Sequence, residues 1–446
     1  MLHSVPVGTR AFVIRACRQL QNTHAKLVKG IQKLPEGELQ TKLALFRYCA
    51  GPRLDYHLRC LALPFGAPLA TEADTITMHE LDTLCGSLLT LQGLPPEELN
   101  TVKAQIRLPG KWGGLGLATR VRIHPIAFYA AWLRTLQNNF TCNAFLSRLG
   151  TACRGADPSA EHLLEDLASS MDQLEQQLSL ASRWTTSRLS SRTSARIRKI
   201  ALWSTALPTG DAAPASTNPP LAGPLQQILS QESHRRAFED IVDNSALDDR
   251  TRARVRSASG AGAGGWLRDL PSTGSELLST EEIRCSLRLL LGLPIPGLRT
   301  TPECTVCAKP HAADGTQRLF HCSTSAGNWT LRHNRIRDEL ARHLRRWHIP
   351  DVQVEPYGFF EGSRLRPDIV VRHHRTGKQY VIDVKVESPL RAHLLARAAC
   401  QSGYAAANAE AGKRAKYRDA IGDRHDFQFA PFATEGFGRL GQAAQD

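Results

Sequence analysis

Apolar residues recur at three- and four-residue intervals along the first third of the chain. Over residues 10–34 they include Ala16, Leu27 and Ile31, and this spacing predicts an amphipathic helix that ends before Pro35. Similar apolar runs follow, interrupted by the glycine-rich stretch LPGKWGGLGL, which predicts a turn. The pattern therefore predicts a helical region over residues 1–140.

The pattern changes towards the C-terminus. An amphipathic helix, RHNRIRDELARHLRRW, is followed by three short runs rich in β-branched residues, VQVEPYGF, PDIVV and YVIDVKV. Two further helical stretches are predicted, around residues 390–411 and 412–420. Helix, strands and then helix is typical of an α/β domain, which we place at residues 336–446. The predicted fold class is mixed, with an α-helical N-terminal half and an α/β C-terminal domain.

The middle of the chain is more polar. Two stretches rich in Pro, Ala, Ser and Gly, ALPTGDAAPASTNPPLAGP and SASGAGAGG, have the composition of linkers. The predicted segments are a helical basic region (141–204), flexible linker segments (205–265), a helical connector (266–300) and a cysteine-histidine motif (301–335).

Charge and cysteine usage narrow the class of protein. The 446 residues carry 56 Lys and Arg against 42 Asp and Glu, a net charge of +14, which indicates a nucleic-acid partner, with a generic basic protein as an equal alternative on charge alone. Most of the 11 cysteines are isolated, which indicates a reducing intracellular compartment, with the nucleus favoured over the cytoplasm. Arg10 and Arg15 interrupt any signal-peptide core, and no apolar run suits a membrane span.

The segment RPDIVVRHHRTGKQYVIDVKVESP carries the candidate chemistry. Thr376-Gly377 suits a hairpin turn between two strands, because glycine tolerates a positive φ. Alternate side chains of a strand share a face, so Asp383 and Lys385 should point the same way. Asp368 begins the preceding strand and should converge on the same place.

Two converging carboxylates and a lysine suit phosphodiester hydrolysis. Asp368 and Asp383 would hold Mg²⁺ (or Mn²⁺), which prefers oxygen ligands, and Lys385 would orient the attacking water or stabilise charge on the phosphate. Glu339 is the candidate third acidic residue, with Asp338 and Glu355 as alternatives. The opposing interpretation is a surface strand with alternating charges, which the apolar neighbours of Lys385 disfavour.

A cysteine-histidine cluster precedes this segment. Cys304 and Cys307 form a CxxC pair and Cys322 follows. Thiolate and imidazole ligands favour a structural Zn²⁺, with unmetallated thiols as the alternative. The candidates for the fourth ligand are His321, His333 and, less favoured, His311.

The helix after this cluster is strongly basic. Arg332, Arg335, Arg342 and Arg345 are candidates for nucleic-acid contacts through phosphates. A solvated basic face explains the same arginines equally well.

Four stretches together resemble the C-terminal part of non-LTR retrotransposon polyproteins with a restriction-like endonuclease. VPVGTRAF resembles the segment after the polymerase palm, and LPGKWGGLGLATR resembles the thumb. CTVCAKPH…HCSTSAGNWTLRHN resembles the zinc motif, although the usual motif histidine is replaced. RPDIVV…VIDVKVESP resembles the PD-(D/E)xK nuclease core. Lys413 and Tyr417 are similar to a Lys…Tyr pair that often follows such a core. They could line the active site or contact nucleic acid, with a surface pair as the preferred alternative.

The resemblance implies a PD-(D/E)xK fold and the nicking of target DNA for target-primed reverse transcription. DNA is the implied partner, with an RNA template and a reverse transcriptase supplied in trans as further partners. The sequence holds no paired-aspartate polymerase motif, so we expect a truncated or separately encoded piece without polymerase activity. The alternative is a catalytically inactive, nucleic-acid-binding remnant of the same element.

Overall fold

In a computed structural model the chain divides into two compact units. The first comprises residues 1–92 and 117–237, and the second comprises residues 93–116 and 238–446. The structure describes residues 6, 8–89, 94–138, 169–170, 172–174, 176, 225–268, 277–295, 303, 307–308, 316, 320, 322, 326–373, 375–422 and 425–445. Within these residues we find no helix with the length and apolar character needed to cross a membrane.

Most of the described elements are helices. In chain order they are α1 (Arg10–Gln32), α2 (Leu39–Leu45), α3 (Asp55–Cys60), α4 (Leu63–Leu89), α5 (Pro96–Arg107), α6 (Arg120–Asn138), α7 (Leu225–Val242), α8 (Asp249–Ser257), α9 (Gly265–Arg268), α10 (Thr280–Leu291), α11 (Ala326–Arg346), α12 (Ala392–Cys400), α13 (Tyr404–Ile421) and α14 (Gln442–Gln445). The π-helical turn Phe46–Ala50 continues α2, and two short 3₁₀ turns lie at Glu36–Glu38 and Pro52–Leu54.

The predicted first helix is confirmed as α1. The Thr9 side chain accepts a hydrogen bond from the Phe12 N–H and caps its N-terminus. Ala16 and Ile31 are buried as predicted, whereas Leu27 is half-buried and its neighbour Val28 takes the buried position. The apolar face of α1 packs on α4 and helps to form the core of the first unit.

Two histidines are buried in this first unit. His24 and His124 are each 1 % exposed, and His124 Nε2 lies 3.0 Å from the Leu61 carbonyl oxygen. Burial lowers the pKa of both rings; the charge of Arg120 lowers that of His24 further. Both are therefore neutral in the folded chain.

We expect this burial to make the first unit acid-labile. The unfolded chain takes up protons at the two rings below a pH of roughly 6.5, so folding stability present above that pH is lost as the pH falls. The urea midpoint of the helical circular-dichroism signal should drop between pH 7.5 and 5.5. The drop should shrink in a His124→Gln variant but not in His79→Gln, which changes an exposed histidine; equal drops in all three proteins would contradict the prediction.

The second unit contains a buried polar network where the sequence predicted a linker. The Arg254 guanidinium of α8 donates to Gln105 Oε1 at 2.8 Å and to the Leu290 carbonyl. Gln105 Nε2 donates to the carbonyls of Gly113 (2.9 Å) and Leu290 (3.1 Å). This network connects α5, the glycine-rich loop, α8 and α10. The linker prediction is therefore wrong for residues 225–265, while 205–224 lie outside the described residues.

The glycine-rich loop belongs to this second unit. A Cβ at Gly114 would lie 2.1 Å from the Leu108 carbonyl oxygen, so only glycine fits where the loop folds back on α5. The predicted 1–140 region is thus divided, because residues 93–116 form part of the second unit.

The helix predicted within the connector is confirmed as α10. Ser279 and Glu282 form a reciprocal capping box at its N-terminus, and Gly292 ends it in the left-handed conformation. The predicted basic region at 141–204 lies mostly outside the described residues.

A four-stranded mixed sheet forms the centre of the C-terminal part. Its strands are β1 (Gln353–Val354), β2 (Ile369–Arg372), β3 (Gln379–Glu387) and β4 (Phe427–Glu435), in that spatial order. β1, β2 and β3 are antiparallel neighbours, and β4 pairs with β3 in parallel. The predicted mixed class, with a helical part and an α/β part, is confirmed.

Helices cover both faces of this sheet. On one face, Ala341 of α11 packs with Ile369 and Val371 of β2. On the other, Tyr417 of α13 packs with Val381 of β3 and with Phe360. Because both faces are covered, polar side chains at the centre of β3 are buried.

Candidate metal centre

The hairpin of β2 and β3 brings two aspartates together. Ile369 pairs with Ile382 and Val370 with Val381, so continuing this register places Asp368 opposite Asp383. Gly377, with φ of 68°, forms the connecting turn as predicted. Asp368 Oδ2 also accepts a hydrogen bond of 2.6 Å from the Val384 N–H, which fixes its carboxylate against β3. The predicted convergence of the two aspartates is confirmed.

A histidine completes this acidic pair. His333 of α11 donates from Nε2 to Asp368 Oδ2 at 3.1 Å, and its Nδ1 lies 3.3 Å from Asn334 Oδ1. Ligand atoms of His333, Asp368 and Asp383 all lie within 4.8 Å of one another. We call these three residues the His-Asp-Asp cluster.

The environment drives the pKa values of the two carboxyls apart. Burial and the neighbouring Asp368 carboxylate raise the pKa of Asp383, against the opposing effect of Lys413. Burial also acts to raise the pKa of Asp368, but hydrogen bonds, the one from His333 first, outweigh it and lower the pKa. The hydrogen bond to Asp368 in turn raises the pKa of His333. The Asp368 carboxylate and the His333 ring thus each favour the charged form of the other.

Two lysines of α13 reach Asp383. Lys413 Nζ lies 2.5 Å from Asp383 Oδ1, and Lys416 Nζ lies 3.6 Å from Oδ2. Lys413 was predicted to line the active site or to contact nucleic acid; its ion pair with Asp383 places it in the site, and nucleic-acid contact stays a prediction. The same prediction is wrong for Tyr417, which is 1 % exposed, stacks on Phe429 and donates its hydroxyl to the Arg366 carbonyl.

Lys385 forms its ion pair with Glu387, a residue outside the acidic pair. Its Nζ is 3.7 Å from Glu387 Oε2, and its side chain is 38 % exposed. Glu387 is a buried carboxylate on the same strand that sequence reasoning overlooked, and its Oε1 also binds Arg391 Nε at 2.9 Å. Lys385 and Asp383 share a strand, but the lysine contributes to the wall of a neighbouring cavity.

The predicted third acidic residues point elsewhere. Glu339 binds Arg342 and His343 on its own helix, and the structure does not bring it into the His-Asp-Asp cluster as the third acidic residue. Glu355 and Asp338 both pair with Arg337. In each case a nearby cation on α11 satisfies the carboxylate.

Only some of the predicted zinc ligands lie among the residues that the structure describes. Cys304, His321 and His311 lie outside the described residues, whereas Cys322 is fully buried and Cys307 is half-buried. Both ring nitrogens of His333 face oxygen atoms of Asp368 and Asn334, so it would have to give up one of these contacts to bind zinc. Zinc binding by the cysteines stays a prediction.

Some of the arginines predicted to contact nucleic acid from α11 have contacts within the chain, and others are exposed. Arg332 lies over the Phe320 ring at 5.3 Å, whereas Arg345 donates to the Val352 carbonyl. Arg335 is exposed, and Arg342 is 71 % exposed beside Glu339. Arg332, Arg335, Arg342 and Arg345 therefore stay predictions for nucleic-acid contact.

The cluster fits a divalent cation. Asp383 Oδ2 is buried and accepts no hydrogen bond from any residue that the structure describes. Lys416 Nζ lies 3.6 Å from it, too far for a hydrogen bond, and a buried carboxylate oxygen without a hydrogen bond is costly unless a bound cation compensates it. Two carboxylates suit Mg²⁺ or Mn²⁺, and the imidazole nitrogen favours the transition metal of the two.

Comparison with known protein families and with curated proteins finds no match for this chain. The site is therefore interpreted from its own geometry. Sequence reasoning missed His333 as a partner of the aspartates, although the histidine was singled out for zinc.

Proposed function

We propose that the second unit is a metal-dependent endonuclease that hydrolyses phosphodiester bonds in DNA, with His333, Asp368 and Asp383 holding the metal. The observation that carries the proposal is the His-Asp-Asp cluster, in which the register of a hairpin sets two buried aspartates against one histidine. Such a set of ligands inside a strongly basic chain favours a polyanionic substrate.

The order of elements supports a nuclease fold. The helix α11, the strands β1, β2 and β3, the helices α12 and α13 and the parallel strand β4 follow one another around the site. This order is similar to the core expected of PD-(D/E)xK nucleases. The motifs resembling a retrotransposon polyprotein then favour nicking of target DNA as the biological role, with the polymerase supplied in trans.

Each residue has a distinct part in the proposed reaction. A bound divalent cation would polarise the scissile phosphate and lower the pKa of a water molecule. Asp368 and Asp383 would supply oxygen ligands, and the hydrogen bond that Asp368 accepts from the Val384 N–H keeps its carboxylate in place. Lys413 sits 2.5 Å from Asp383 and supplies positive charge beside the reacting phosphate.

Supercoiled plasmid tests the proposal. The purified full chain should convert plasmid to nicked circles with Mn²⁺ or Mg²⁺, and EDTA should stop the conversion. Retardation of the plasmid in a gel without nicking at any metal concentration would contradict endonuclease activity.

One observation favours a second candidate, a nucleic-acid-binding protein without cleavage. The ion pair between Lys413 and Asp383 already satisfies one oxygen of the proposed metal site. If that pair persisted in the presence of metal, the chain would bind DNA through its positive charge and would not hydrolyse it. The plasmid experiment separates the two candidates.

Replacing His333 by glutamine should change the metal preference. The variant loses the nitrogen ligand but keeps the two aspartates, so Mn²⁺ should bind roughly tenfold more weakly while Mg²⁺ is less affected. The measurement is the metal concentration for half-maximal nicking with each ion. His343→Gln, which changes an α11 histidine paired with Glu339, is the matched control. An unchanged Mn²⁺ requirement in the His333 variant would remove it from the metal site.

A further inference from the structure

A cavity of about 250 Å³ lies beside the His-Asp-Asp cluster. Its wall includes His333 and Arg332 of α11, Lys385 of β3, and Arg391 at the start of α12. His333 therefore borders both the proposed metal site and this cavity. None of the described residues that line the cavity is acidic.

The cations of this wall are fixed in place. Glu387 pairs with Arg391 Nε at 2.9 Å and with Lys385 Nζ at 3.7 Å, while remaining 5 % exposed itself. Arg332 is held over the Phe320 ring. The described residues of the wall thus bring two guanidinium groups and an ammonium group together, and guanidinium groups suit a phosphate.

The cavity also has an aromatic lining with an unused donor. Trp329 lines it, and the indole Nε1–H is buried with no hydrogen-bond partner among the described residues. A buried donor of this kind is satisfied when a ligand brings an acceptor. Flat aromatic rings also stack on nucleic-acid bases.

The size of the cavity limits what can enter. Its volume of about 250 Å³ falls below the roughly 300–1,000 Å³ of sites for drug-sized ligands. The enclosed part is therefore of the size of a single nucleotide, and the rest of a longer strand would lie outside it.

We infer that this cavity binds a single unpaired nucleotide of the DNA strand to be cut, with the phosphate on Arg332, Lys385 and Arg391 and the base against Trp329. Its role rests on the proposed function, because His333 would place the bound nucleotide next to the scissile phosphate. The substrate would then be DNA with an unpaired or locally opened strand.

Calorimetric titration of the full chain in EDTA tests the inference without metal or cleavage. Deoxyadenosine 5′-monophosphate should bind more tightly than inorganic phosphate, and deoxyadenosine should bind more weakly than the monophosphate. Arg391→Gln and Arg332→Gln should each weaken binding of the monophosphate about tenfold. Arg346→Gln removes the same charge from an exposed position of α11 outside the cavity and should have no effect.

Several outcomes would overturn it. These are no binding of the monophosphate, equal binding of the monophosphate and inorganic phosphate, or equal weakening by Arg346→Gln. Melting curves identify a variant that fails to fold. In that case the binding measured for the other cavity variant tests the inference. If the nucleotide binds in EDTA but plasmid is never nicked, the proposed endonuclease function fails and the cavity assignment stands. If plasmid is nicked but the nucleotide does not bind, the cavity assignment fails and the endonuclease function stands.

Discussion

Replacing Asp383 by asparagine should reduce plasmid nicking more than a hundredfold while leaving plasmid binding intact. Loss of a partner one shell away from a metal already costs roughly 10–100-fold, so loss of a direct ligand should cost more. Asp383 is only 3 % exposed, which keeps it from touching DNA in the folded chain. Nicking rates and gel-shift affinities, measured on the same preparations, separate these two effects.

Asp351→Asn is the matched control for this prediction. It removes the same charge from a surface aspartate that pairs with Arg372. Its backbone has a φ of 55°, which asparagine adopts readily. The control should nick at the parent rate. A parental rate for Asp383→Asn would instead place the reaction elsewhere in the chain.

Replacing Lys413 by methionine should move metal binding and cleavage in opposite directions. Lys413 competes with a metal for Asp383 Oδ1, so its removal should tighten Mn²⁺ binding about tenfold. The same lysine supplies positive charge to the reacting phosphate, so nicking at saturating Mn²⁺ should fall about a hundredfold. Metal titration by calorimetry and nicking rates provide the two readouts.

Replacing Lys385 by methionine distinguishes the role of this lysine from that of Lys413. Lys385 contacts Glu387 and lines the cavity, so its loss should slow nicking while the affinity for Mn²⁺ stays at the parent value. Weaker metal binding by Lys413→Met would contradict the competition that the ion pair implies.

The paired aspartates could be predicted from sequence because their placement is local. One hairpin with a glycine turn joins β2 to β3, and the two-residue period of a strand then fixes which side chains meet. The capping box of α10 is equally local.

Residues brought in by packing could not be predicted in this way. His333 reaches Asp368 across 35 positions in sequence, because α11 packs on the sheet through Ala341. The strand β4 was missed because Pro431 lies within it; an edge strand tolerates proline, and β4 is the last strand of the sheet.

The burial of Tyr417 was also a matter of packing. Four-residue spacing correctly puts it on the same helix face as Lys413, but that face covers the sheet instead of facing solvent. The glycine-rich stretch 257–265 has the composition of a linker, yet Ala258 and Ala263 are fully buried in the second unit. The composition of a segment does not reveal which distant residues pack against it and bury it.

Calorimetric titration of Mn²⁺ into the full chain, beside Asp383→Asn, tests the metal centre most directly. We expect binding at the His-Asp-Asp cluster in the parent and loss of that binding in the variant. Binding that is absent from the parent, or unchanged by Asp383→Asn, would contradict the assignment of His333, Asp368 and Asp383 as a metal site.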